Sequence, residues 1–150
     1  MPFRIFLIED NPADARLISL ALRFQRIASE ITYFDDGLKV LNTFSAEGDA
    51  SQIPMPDLIV LDLNMPRVGG LKLLRTIRES IRFRQVPVAI CTSSKSPRDR
   101  EEAMSLGADG YISKPNELEP FLEKVGGAVR DILASRFPPE IHRNLHDGLP

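Results

Sequence analysis

Five short apolar runs alternate with five amphipathic stretches along this chain, and that alternation leaves few folds open. The runs are 3–8 (FRIFLI), 30–34 (EITYF), 57–63 (DLIVLDL), 86–93 (VPVAICTS) and 109–114 (DGYISK). Each has the length of a strand and none approaches that of a membrane span. The stretches 11–27, 36–48, 70–81, 96–107 and 116–135 carry apolar residues at helical spacing, as in Leu71, Leu74, Ile77 and Ile81. Strict strand–helix alternation predicts an α/β fold: a parallel sheet with helices on both faces, joined by right-handed crossovers. Covered on both sides, the central strands should be continuously apolar, and 57–63 and 86–93 largely are.

The helix ends are marked chemically. Asn11 is a candidate cap followed by Pro12 in the first turn, and Asp14 complements the helix dipole. Ser96 and Pro97 repeat that arrangement, with Gly107 as the stop. Asn116 with Glu119 three residues on has the form of a capping box.

The bulk properties narrow the class further. At 150 residues and a net charge of −2, the chain fits one domain with no global basic field to draw nucleic acid or an anionic membrane. Its single cysteine, Cys91, permits no internal disulfide and fits a reducing, cytoplasmic setting. Cys91 lies inside an apolar run and reads as a core thiol.

In open parallel sheets, ligands bind beyond the carboxyl ends of the strands. The first run exits into Glu9 and Asp10, the third into Asp62, the fourth into Thr92, Ser93 and Ser94, and the fifth into Lys114 and Pro115. Any one of these alone reads as a cap or a solvated loop residue; four strand ends together form a constellation made by the fold. Three converging carboxylates need a cation, and hard oxygen donors without histidine or cysteine suit Mg²⁺. A lysine offers a point charge for phosphate, a threonine hydroxyl donates to a phosphoryl oxygen, and aspartate is a nucleophile in aspartyl-phosphate chemistry. The parts describe a site that accepts a phosphoryl group on Asp62.

The motifs IEDNPAD (8–14), LDLNMP (61–66), CTSS (91–94) and YISKP (111–115) stand in the order and at the spacing of a known family. The chain resembles the receiver domain of two-component response regulators over roughly residues 3 to 134. The resemblance implies a flavodoxin-like, doubly wound five-stranded sheet of order 2-1-3-4-5 with five helices. It implies phosphorylation of Asp62 by a sensor histidine kinase or a phosphotransfer protein. Glu9, Asp10 and Asp62 would hold Mg²⁺ with the backbone carbonyl of Asn64. Thr92 would be the switch hydroxyl, Tyr111 the aromatic whose rotamer follows it, and Lys114 the contact to the phosphoryl oxygens. The peptide bond before Pro115 is expected to be cis. Phosphorylation would reshape the surface of the fourth helix, fifth strand and fifth helix, the expected partner or homodimer face. Such a protein is a signalling switch that catalyses only its own phosphorylation and dephosphorylation.

Two departures from the family pattern stand out. Glu9 occupies a position where aspartate is commoner, and Gly69-Gly70 replaces a frequent Asp-Gly, with extra backbone freedom expected there. Asn64 and Ser94 stand where the family tunes acyl-phosphate hydrolysis. The segment 45–57 (SAEGDASQIPMPD) together with EDNPAD is similar to stand-alone receivers that serve bacterial phytochromes, implying a light-sensing kinase as donor. The domain is expected to span 1–135, with 136–150 a tail and no separate output domain. In that tail Phe137, Ile141 and Leu145 are spaced for a short amphipathic turn, and His142 and His146 read as solvated surface. Two other readings compete: a degenerate receiver that only docks, and an aspartate-nucleophile phosphatase of the haloacid-dehalogenase type. The latter needs a second aspartate two residues after the nucleophile, where this chain has Asn64.

Overall fold

A computed structural model of the chain describes residues 2–45 and 53–137. Five strands and five helices alternate: β1 (Phe3–Ile8), α1 (Pro12–Phe24), β2 (Ser29–Phe34), α2 (Gly37–Phe44), β3 (Leu58–Leu61), α3 (Gly70–Glu79), β4 (Val88–Thr92), α4 (Pro97–Ser105), β5 (Gly110–Ser113) and α5 (Leu118–Arg136). The strands form one sheet of order β2-β1-β3-β4-β5, every pair parallel. The chain is the expected flavodoxin-like, doubly wound fold.

Side-chain alternation along the central strands splits the core into two layers. Ile5, Leu7, Leu58, Val60, Ala89 and Cys91 face α1 and α5, meeting Ile18, Leu22, Phe121 and Val125. Phe6, Ile8, Ile59, Leu61, Val88 and Ile90 face the other way, toward Val40, Phe44, Leu73, Leu74, Ile77 and Ala103 of α2, α3 and α4. Burial of each Leu, Ile or Phe contributes roughly 1.5–3 kcal/mol relative to exposure, so this double core fixes the strand register firmly. A register slip by one residue would turn one layer inside out.

The helix starts follow their caps. Asn11 Oδ1 accepts from Ala13 N–H at 2.9 Å and Asp14 N–H at 3.2 Å. Ser96 Oγ accepts from Asp99 N–H at 3.3 Å. Gly107 closes α4 in the left-handed region at φ 92°. The capping box expected at α5 is not formed. The cap position is Glu117, which makes no side-chain capping bond. Glu119 therefore falls at the second helical position, one short of the place from which a capping-box carboxylate reaches back.

Two further expectations are corrected. Helix α3 ends at Glu79, so Ile81 lies outside the amphipathic stripe and is 86% exposed, while Phe83 takes the buried place beyond the turn. Gly70 is needed for close approach more than for backbone freedom. A Cβ there would lie 2.4 Å from the carbonyl oxygen of Asp62 and 2.5 Å from Leu63 Cα. Gly69 has an ordinary φ of −66° and open space around it. Of the tail, Phe137 packs on the α1–α5 side of the core, its ring 6.0 Å from that of Phe3. The expectations for Ile141, His142, Leu145 and His146, and for residues 46–52 of the polar insertion, lie outside the described residues.

Candidate functional site

Strand exits build the site. Strand β1 is buried to its end and releases Glu9 and Asp10 just before Asn11 caps α1. In register beside it, Leu61 of β3 pairs with Ile8 of β1, which places Asp62 next to Glu9. Thr92 ends β4 opposite Ser113, and Lys114 follows, its N–H bonded to the Thr92 carbonyl at 2.8 Å. Glu9, Asp62, Thr92 and Lys114 are all buried, and they are the buried polar and charged residues of the described chain.

One lysine joins the acids. Lys114 Nζ donates to Glu9 Oε1 at 2.6 Å, to Asp14 Oδ2 at 2.8 Å and to Asp62 Oδ2 at 3.2 Å. Burial pulls the ammonium pKa down, but its bonds to Asp14 and Glu9 and the charges of Glu9 and Asp62 outweigh it, leaving Lys114 above the usual lysine range. Burial pushes the Glu9 carboxyl up to about 7, which Lys114 and the Asn11 N–H only partly offset. A single cation does not settle three carboxylates in a low-dielectric pocket. Cys91, beneath the site, is pushed up to about 12 by burial and is the core thiol expected.

Glu9, Asp10 and Asp62 each offer one carboxylate oxygen, all within 4.8 Å of one another. That cluster of hard oxygen donors, with excess negative charge and no nitrogen or sulfur ligand, fits a divalent cation. Asn64 stands beside it: its N–H donates to Asp62 Oδ1 at 3.1 Å and its side-chain amide makes long contacts to Thr92 Oγ1 and Ser93 Oγ, 3.5 and 3.4 Å.

Thr92 is fully buried and its Oγ1 accepts from Ser94 N–H at 3.2 Å; among the described residues its hydroxyl donates no hydrogen bond. Ser94 Oγ in turn donates to Asp99 Oδ2 at 2.5 Å, linking the β4 exit to the first turn of α4. Tyr111 lies in β5 beside the α2–α4 layer, with the Arg100 guanidinium 5.4 Å above its ring. Burial raises the pKa of its hydroxyl, and Ser94 beside it offsets this in part.

The sequence brought forward Glu9, Asp10, Asp62, Asn64, Thr92, Tyr111 and Lys114. Glu9, Asp62 and Lys114 are in direct contact, Asp10 completes the acidic cluster, Asn64 and Thr92 border it, and Tyr111 stands off on the α4 side. Sequence reasoning missed Asp14 as a partner of Lys114, because a first-turn acid needs no other explanation than the helix dipole. The cis bond expected before Pro115 is not formed; the peptide is trans. Trans is the lower X–Pro isomer by roughly 0.5–1 kcal/mol unless the surroundings override it, and with a trans bond Lys114 already reaches all three carboxylates.

The model of the response regulator receiver domain matches residues 5–126. Response regulator Rcp1 of Synechocystis is 31% identical over 126 residues, covering 84% of this chain and 86% of that protein. The transcriptional regulatory protein TrcR of Mycobacterium tuberculosis is 33% identical over 129 residues, but the chain spans only 46% of its length. Among solved structures, the phosphorylated cyanobacterial phytochrome response regulator RcpA superposes with a TM-score of 0.80 at 31% identity, covering 90% of this chain and 96% of RcpA. The Mn²⁺-bound form of Rcp1 gives 0.77 at 29% identity, with coverage of 92% and 96%. With the receiver-domain model matching most of its length and a relative covered nearly end to end at 31% identity, the chain belongs to the response regulator receiver domain family.

Proposed function

We propose that this protein is a phosphorylation switch in which Asp62 accepts a phosphoryl group from a histidine kinase or phosphotransfer protein. The observation that carries the reading is the reach of Lys114 Nζ to both Glu9 and Asp62 in a buried pocket of excess negative charge. In the transfer, an Asp62 carboxylate oxygen attacks phosphorus while the phosphorus–nitrogen bond of a phosphohistidine breaks. The bonding pair leaves with the imidazole, which takes a proton from solvent, and the product is an acyl phosphate. Hydrolysis of that acyl phosphate returns Asp62 and inorganic phosphate.

Lys114 stabilises the transferred oxygens from the Oδ2 side of Asp62, and the Asn64 N–H holds Oδ1 in place. Mg²⁺ is the proposed cofactor, held by Glu9, Asp10, Asp62 and the Asn64 carbonyl; when bound it neutralises charge on the transferring group. The Mn²⁺-bound form of Rcp1 supports divalent-cation binding. Thr92 donates its hydroxyl proton to the new phosphoryl oxygens. Tyr111 then repacks toward the space Thr92 leaves. The face of α4, β5 and α5, where Met104 and Leu118 are exposed, carries the output to a partner or a second copy. Similarity to a phytochrome response regulator supports a light-sensing kinase as donor, acting in the cytoplasm. No helix among the described residues is long and apolar enough to cross a membrane.

Incubation with acetyl phosphate and Mg²⁺, followed by intact mass, tests the reading. Wild type should gain one phosphoryl group and Asp62→Asn none, while Lys114→Ala should retain partial uptake without the conformational response. A wild-type protein that stays unmodified beside a labelled control receiver would overturn the switch and favour a docking module.

A further inference from the structure

We propose that Asp14 is a positioning residue that holds Lys114 in the unphosphorylated protein and must release it for a phosphoryl group to be bound. The inference rests on the assignment of Asp62 as acceptor. An ammonium has three N–H donors. Those of Lys114 are all engaged, by Glu9, Asp14 and Asp62 at 2.6, 2.8 and 3.2 Å. No N–H is left for a phosphoryl oxygen, so one of the three bonds has to open.

The surroundings decide which one. The Glu9 side chain is 1% exposed, so its carboxylate cannot turn to water in exchange for Lys114. Asp62 is itself the acceptor, and its bond carries Lys114 to the reacting group. The Asp14 side chain is 29% exposed and its carboxylate returns to water at the lowest cost. Its place in α1 does not depend on the lysine, because the Asp14 N–H is capped by Asn11 Oδ1. Opening this bond unties the first turn of α1 from the exit of β5, so the same event that seats the phosphoryl group reports to α1. Asp14 also adds a negative charge beside an incoming anion and beside the proposed cation, so its removal acts on the two in opposite directions.

Full-length wild type, Asp14→Asn, Asp14→Ala and Asp14→Glu are titrated with beryllofluoride at saturating Mg²⁺, and separately with Mg²⁺ alone. Asn and Ala should each tighten beryllofluoride by about threefold, the scale of a partly exposed ion pair, and weaken Mg²⁺ by a similar factor. Asp14→Glu should restore wild-type values. In wild type, beryllofluoride should also speed hydrogen exchange at the Ala15 amide, and in Asp14→Asn it should not. A role in stability alone would shift the melting temperature and leave both affinities unmoved. If wild type binds beryllofluoride and the Asn and Ala variants bind it equally or more weakly, the inference falls and the acceptor assignment stands. If wild type binds none, both fall together.

Discussion

The sheet carries a charge cluster at each end, and the two are built on opposite plans. At the amino ends of β4 and β5, Asp109 accepts from Arg78 at 3.0 Å, from Arg136 at 3.1 Å and from the Val88 N–H at 2.8 Å. Arg78 spends its remaining donors on the carbonyls of Arg84, Val86 and Gly107, so all five of its N–H groups are engaged. This cluster is closed: every partner is in the chain. At the carboxyl ends, one Lys114 faces three carboxylates, and burial holds Glu9 at about 7. That cluster is open, in the sense that its charges balance only with something brought from solution. Closed networks hold elements together; open ones store electrostatic free energy that a ligand can use.

The sharpest way to break this contrast is to remove one acid from each end. Asp62→Asn should abolish phosphoryl and beryllofluoride uptake, yet raise metal-free stability by about 1 kcal/mol by relieving repulsion among buried carboxylates. Denaturant unfolding in a chelator checks the second half, and a loss of stability would show that Asp62 is already compensated. Arg78→Ala should do the reverse. It removes the side-chain donors to the carbonyls of Arg84, Val86 and Gly107 and one of the three donors to Asp109, costing about 2 kcal/mol of unfolding free energy, while beryllofluoride affinity stays within error of wild type. Saturating Mg²⁺ should stabilise wild type by about 2.7 kcal/mol at a hundredfold excess over its dissociation constant. The same gain should appear in Arg78→Ala and vanish in Asp62→Asn.

The two clusters also differ in how far they could be read from sequence. The open one was legible because four strand ends carried polar residues where the apolar pattern should have continued, and parallel sheets gather their strand exits on one side. What sequence could not supply was the third partner of Lys114. Asp14 lies in a capped first turn, 100 residues from the lysine, and its local role already accounts for it. The closed cluster was not seen at all. Asp109 reads as the first residue of the fifth strand-length run, and Arg78 reads as the polar face of α3. Helix beginnings were legible where proline followed the cap, at Asn11 and Ser96, and misplaced at α5, where the helix starts only after Glu117. Ile81 continued the spacing of α3, but the turn after Glu79 put Phe83 into the core instead. Spacing predicts which face is apolar; it does not say where the backbone stops being helical.

The smallest predicted effect separates the members of the closed cluster from one another. Arg136 has a side chain 42% exposed, against 18% for Arg78, and donates to Asp109 Oδ1 at 3.1 Å and to the Gln85 carbonyl at 3.3 Å. With Arg136 gone, Asp109 keeps both Arg78 and the Val88 N–H, so no buried group loses its last partner. Arg136→Ala should therefore cost about 0.5 kcal/mol, the ordinary scale of an exposed ion pair, and the difference should shrink in high salt. Denaturation of wild type and variant at two ionic strengths measures both. A loss as large as that of Arg78→Ala, or one that salt does not touch, would mean that Arg136 is a buried keystone by way of Phe137 packing on Phe3. The closed cluster would then extend into the core, and charge saturation alone would no longer explain its difference from the site around Lys114.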